Sequence, residues 1–181
     1  RQLDYEAARE DINRALELAD SMRDSRVLGE AYFQASLIAE RDGQWILART
    51  YAERAKLQYE ESSDRAIVGK LLNNLGLLEL LLGNPEQAGD RLNEAFAIVL
   101  DTGDVDDLAT VVASLSQVYL RTGDATKAEK HARHALSLLG SRDDRLQEIG
   151  TAHLTLGRAL LELGQLDEAE KTLAQAEDAL A

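Results

Sequence analysis

"LLNNLGLLELLLGNPEQAGDRL", residues 71–92, reads as two pieces of helix around a sharp break. Its first half carries leucine on nearly every side, interrupted by Asn73 and Asn74, and ends at Leu82-Gly83-Asn84-Pro85. Glycine supplies the left-handed residue that ends a helix, asparagine offers a side-chain acceptor at the next cap, and proline suits a first helical position. The stretch therefore predicts helix, tight turn, helix. A helix apolar all round is one buried all round, so these leucines need neighbours on every side.

The same punctuation recurs along the chain. The turns Asp42-Gly43, Leu82-Gly83, Thr122-Gly123 and Leu163-Gly164 fall at intervals of 40, 40 and 41 residues. Five residues after each glycine stands an alanine, Ala48, Ala88, Ala128 or Ala169, and Ala8 lies 40 residues before the first. Seven residues further on come Ala15, Ala55, Ala95, Ala135 and Ala176. Seven residues before each turn glycine is another small residue, Ser36, Gly76, Ser116 or Gly157. Small residues at these spacings on both sides of a glycine turn let two antiparallel helices pack with their backbones close. Each period is thus a helical hairpin, with Asp124 offering a cap like that of Asn84.

Composition agrees. The chain has 181 residues, 45% of them apolar, with one proline and 12 glycines, which predicts an almost wholly helical protein with no strands. It has no cysteine, which excludes disulfides and thiolate metal sites and favours a cytoplasmic setting. A formal charge of −13 repels a phosphate backbone, so direct nucleic-acid binding is not expected. The longest apolar run, Leu77 to Leu82, is broken by Glu79 and is far shorter than the ~20 residues that cross a bilayer. No signal peptide is visible. The first residue is Arg1, so a fragment or processed product of a larger protein is expected.

The pattern resembles the tetratricopeptide repeat (TPR). The third repeat carries the likeness through Leu72, Leu75, Gly76, Gly83, Ala88, Leu92 and Ala95, the fourth through Val112, Leu115, Ser116, Tyr119, Gly123, Ala128, Ala132 and Ala135. The resemblance implies an all-α fold, a right-handed superhelical solenoid of antiparallel helical hairpins spanning 1–181 as one domain. Residues 1–22 would form the second helix of a truncated repeat, followed by repeats at 25–62, 65–102, 105–140 and 144–181. The usual period is about 34, and the proline that usually closes a repeat is missing here, so the second helix can run on. Long repeats of this kind look like those of kinesin light chains, bacterial peptide-pheromone receptors and the sensor halves of bacterial transcription regulators. The chain opens and stops within second helices, so capping residues or a partner are expected at both ends. The extra residue of the 41-step is placed in the loop Gly140-Ser141-Arg142-Asp143-Asp144.

In this family the first helices line a concave wall on which ligands usually lie. Counted from the small residue of each first helix, the groove positions are −6, −3, −2, +1, +4 and +5. They select Phe33 and Leu37 in the second repeat, then Lys70, Asn73, Asn74, Leu77 and Leu81, with Leu80, in the third. Gln117 and Arg121 follow in the fourth repeat and Arg158 in the fifth. Leu71, Leu72, Leu75, Leu78 and Leu82 are expected to face neighbouring helices instead. Over all groove positions Arg41, Lys70, Arg121 and Arg158 outnumber Glu30, Glu40 and Glu162, which favours a neutral or mildly acidic partner carrying apolar side chains. Asparagine presents a donor and an acceptor together and can pair with the backbone of an extended peptide. Asn74 stands where related peptide-binding repeats often carry one. The carboxylate clamp of chaperone-binding relatives is absent, since its positions hold Phe33, Leu37, Ala113 and Gln117.

His131 and His134 have a spacing that can hold a metal but lack a third ligand, and a solvated pair is expected. His153 takes the family's tryptophan position and reads as a packed residue, while Trp45 and Tyr5 stand where the family wedges an aromatic into the hairpin. There is no phosphate loop, nucleophile elbow or paired carboxylate, so neither an enzyme nor a cofactor is expected. The reading is a protein- or peptide-binding module of a larger bacterial regulatory or signalling protein. Self-association through open helical ends, giving a homo-oligomer, is the alternative.

Overall fold

The computed structural model describes residues 5–140 and 143–181, with side chains described for 10–140 and 144–181; the described residues are helical, with no strand among them. In chain order the helices are α1 (Tyr5–Met22), α2 (Ser25–Arg41), α3 (Trp45–Glu61), α4 (Arg65–Leu81), α5 (Pro85–Thr102), α6 (Val105–Arg121), α7 (Ala125–Leu139), a short 3-10 turn (Asp143–Arg145), α8 (Leu146–Glu162) and α9 (Leu166–Leu180). The forty-residue period is divided evenly in the second repeat, where α2 and α3 are 17 residues each and three-residue turns follow both. No described helix is long and apolar enough to cross a membrane.

Many of the helices have a local reason to start or stop. Gly43, Gly83, Gly123 and Gly164 all take positive φ, between 71° and 83°, and release the chain from one helix into the next. Of the turns between hairpins, two have Gly103 and Gly140 at positive φ, and two have Arg23 and Ser63 in the left-handed conformation without being glycine. Asp24, Asp64 and Asp104, forty residues apart, cap α2, α4 and α6 by accepting backbone N–H bonds from the first turn. Asp124 does the same for α7. Asn84 directs its side chain backwards, its Nδ2 donating to Glu79 Oε2 at 2.8 Å.

The chain forms two compact units, residues 1–84 and 85–181. In the first, Ser36 Oγ donates to the carbonyl of Ala48 at 2.9 Å, and Gly29 lies against Tyr59. Both pairs are symmetric about the 42–44 turn, so α2 and α3 run antiparallel. α4 then packs on α3 in a cluster of Ala39 from α2, Ala48 and Ala52 from α3, and Leu75 and Leu78 from α4, with Leu47 and Tyr51 at the margin. Leu71, Leu72, Leu75 and Leu78 are wholly buried, each worth about 1.5–3 kcal/mol, whereas Leu82 is half-buried.

In the second unit Val112, Ala135 and Ala152 join α6, α7 and α8, while Ala132, Leu156, Leu160 and Ala169 join α7, α8 and α9. Gly157 lets Leu173 of α9 approach so closely that a Cβ would meet Leu173 Cγ at 2.6 Å. Ser36, Ser116 and the alanines at 48, 55, 88, 95, 128, 135 and 169 are fully enclosed, and Ala176 is 2% exposed. Ala15 is exposed. Its counterpart Ala135 packs on Val112 of the first helix preceding it, and no described first helix precedes α1. The side chains of Tyr5 and Ala8 and the Ser141-Arg142 part of the longer loop lie outside what is described.

Candidate functional site

Each first helix leaves one strip on which burial relaxes, because its remaining sides are taken by neighbouring helices. On α2 the strip contains Phe33 and Leu37, both half-buried, and the exposed Arg41. Burial pushes the Glu40 carboxyl above its usual range, with Arg41 beside it pulling the other way. On α4, Lys70 is exposed, Leu77 and Leu80 are half-buried, and Leu81 is 47% exposed. The strip of α6 carries half-buried Ala113, Gln117 and Leu120 and ends at exposed Arg121. That of α8 carries half-buried Leu154, exposed Arg158 and Leu161 at 46% exposure.

Within the first unit, α4 gathers Lys70, Asn73, Asn74, Leu77 and Leu81 onto one helix, and Phe33 and Leu37 lie on α2, which shares α3 as a packing partner. In the second unit α6 and α8 lie side by side, bringing the Gln117–Arg121 segment and Arg158 onto adjoining helices. The asparagines differ from their open sequence reading. Asn73 is only 7% exposed, and its Oδ1 is buried without a hydrogen-bond partner, as is Nδ2 of the half-buried Asn74. Both atoms are enclosed by the fold, so neither is presented on the strip.

Two polar groups that sequence reasoning did not single out position these strips. Glu79 is buried within the leucine run of α4, with Oε1 3.5 Å from Arg49 Nη1 of α3 and Oε2 accepting from Asn84. A lone acid inside an apolar helix was the available signal, since buried carboxylates require partners. Arg145, 15% exposed at its side chain, joins α8 to α6: it lies 3.5 Å from Asp106, donates to Thr110 Oγ1 at 3.1 Å, and donates to Glu148 at 2.9 Å.

Trp45, read as a wedge, is 41% exposed at the start of α3. His153 is half-buried with Nδ1 enclosed and unpartnered, and burial lowers its pKa, favouring the neutral ring. His131 donates from Nδ1 to the carbonyl of Lys127 at 2.9 Å and lies tilted against Tyr119, with ring centroids 4.8 Å apart. Among the described residues no three His, Asp or Glu side chains are grouped so as to hold a metal.

A sequence model of the tetratricopeptide repeat matches residues 27–101 and again 106–181. No curated protein matches the chain. Among solved structures it is similar to BtubC (BKLC) from P. vanneervenii, with a TM-score of 0.83 and 21% identity over 97% of this chain and 73% of that one. It is also similar to the apo form of RapI, with a TM-score of 0.86 and 15% identity over 99% of this chain and 65% of RapI. A putative kinesin light chain of Podosopora anserina follows at TM-score 0.75 and 16% identity, covering 97% and 86%. At these identities the likeness is one of fold.

Proposed function

Because the chain belongs to the tetratricopeptide repeat family, whose fold generally serves as a non-enzymatic scaffold for protein interactions, we propose that it binds a peptide or helix of a partner protein along the exposed strips of its first helices. The observation that carries this reading is α4. Leucine covers that helix on its packed sides and continues onto its strip at Leu77, Leu80 and Leu81, beside the half-buried Asn74. Joint exposure of large apolar side chains marks an interaction surface. Asn74, half-buried beside them, carries an amide of the kind that pairs with a peptide unit, whereas Asn73 is enclosed. On this reading the chain is the sensing part of a larger cytoplasmic regulatory or signalling protein of bacterial type.

The test is titration of the intact chain with peptides selected on it from a displayed random library. Leu77→Asp is expected to weaken binding by about tenfold or more and Asn74→Ala by about three- to tenfold, for the loss of an apolar contact and a hydrogen bond. Unchanged affinity in both variants contradicts the assignment.

A second reading, self-association, is favoured by large apolar side chains left open on the terminal helices: Leu18 and Met22 on α1, and Leu166 and Leu180 on α9, are between 49% and 66% exposed. Sedimentation over a wide concentration range separates the two, because a monomer throughout removes the second.

A further inference from the structure

Between α1 and the α2–α3 hairpin the first compact unit contains a cavity of about 40 Å³. Its walls are apolar: Ile12 of α1, Ala35, Ile38 and Ala39 of α2, and Leu47 and Tyr51 of α3. Asn13, Asp42 and Gln44 form its polar edge. The register of the repeats explains the space. Ala35 stands where the later repeats carry Leu75, Leu115 and Leu156, and Ala39 where they carry Glu79, Tyr119 and Leu160. Those leucines at 75, 115 and 156 are at most 3% exposed, so the branched end of a buried leucine occupies a place that alanine leaves empty here. Asp42 is also peculiar to this repeat, its counterparts being Leu82, Thr122 and Leu163. Gln44 Nε2 donates to Asp42 Oδ2, which leaves Oδ1 for a second donor, and among the described residues this half-buried carboxylate enters no ion pair.

We propose that the cavity binds a small branched aliphatic ammonium ion, its alkyl end between α1 and α2 and its nitrogen at Asp42. The site lies at the seam between α1 and the next hairpin rather than on a first-helix strip, so the inference stands apart from partner binding. A water takes about 10–15 Å³ of such space and needs two or more polar partners. Walls of alanine, isoleucine and leucine side chains offer none away from the edge, whereas an alkyl group regains the dispersion contacts that the lining lacks. Ala39 precedes Asp42 by three residues, about 4.5 Å along the helix axis, a span that a short alkyl chain covers. An ammonium suits the edge because its N–H donors meet Asp42 Oδ1 in a charge-assisted bond, the stronger kind. An anionic ligand would instead bring like charge against Asp42.

The experiment is a titration of the intact chain, followed by amide NMR shifts in α1, α2 and α3, with isopentylammonium and with the neutral isopentanol. The amine is expected to saturate with a Kd of about 1 mM and the alcohol to bind about tenfold more weakly. Asp42→Asn should remove about tenfold from the amine and leave the alcohol unchanged. Ala35→Leu, which restores the leucine of the other repeats, should abolish saturable binding of both and raise the melting temperature by about 2–4 °C by filling the cavity. Should Ala35→Leu fail to fold, Asp42→Asn decides alone. Shifts that never saturate, equal affinity for amine and alcohol, or undiminished amine binding in either folded variant overturn the proposal. None of these results bears on the strips, whose peptide binding Leu77→Asp tests separately.

Discussion

Tyr59 is held by two neighbours at once. Its ring lies against Gly29, where a Cβ would stand 3.0 Å from Cε2, and its hydroxyl donates to Glu30 Oε2 at 2.9 Å. Burial first, and then the bond to the Glu30 carboxylate, push the phenol up to about 12 from an ordinary 10.0. The fold therefore favours the neutral phenol, and this contribution is whole below pH 10 and lost as pH rises through 12. Thermal stability is expected to fall across that window, and Tyr59→Phe should flatten the fall while lowering stability at neutral pH by about 1 kcal/mol. Melting curves from pH 9 to 12 check both. Gly29→Ala should also destabilise, by about 1 kcal/mol net, because overpacking against a ring fixed by Glu30 outweighs alanine's helical advantage; chemical denaturation measures it. At this scale the sequence was legible where a position demands smallness, as at Ser36, Ala48 and Gly157. It was silent on Tyr59 with Glu30 and on Arg49 with Glu79, which join residues about thirty apart on different helices, a relation that periodicity does not express. Asn73 was read as open because its angular position on α4 matches half-buried Ala113 and Leu154, but its neighbours enclose it.

Helices and turns were the most legible elements, since glycine marks the left-handed residue within each hairpin. Of the turns between hairpins, those at Gly103 and Gly140 carry the same mark, but the first two were harder to read. There Arg23 takes φ 51° and Ser63 φ 60°, conformations that cost an L-residue about 1 kcal/mol or more and that neither residue type announces. Ser63→Gly is expected to raise stability by about 0.5 kcal/mol, the relief of strain being partly offset by glycine's greater freedom when unfolded. The caps Asp24, Asp64 and Asp104 were legible in principle from their forty-residue spacing, which the glycines and alanines overshadowed. Asp104 accepts the Asp107 N–H at 2.9 Å, and Asp104→Ala should cost about 1 kcal/mol at the start of α6. Equilibrium unfolding of the two variants should thus move the midpoint in opposite directions.

For the molecule as a whole, family and all-helical architecture follow from in-phase small residues, because close helix packing admits few substitutes at those places. The partner does not follow in the same way. A strip specifies a chemistry, apolar at α4 and cationic at α6 and α8, and many sequences satisfy one chemistry. The central claim is that the first helices, rather than the second, carry the partner. Hydrogen–deuterium exchange of the intact chain with and without a selected peptide tests it most directly. Protection is expected in α4, residues 65–81, and in α8, residues 146–162, with α3 and α7 unchanged. Protection concentrated in α3 and α7, with α4 and α8 unaltered, would contradict the account.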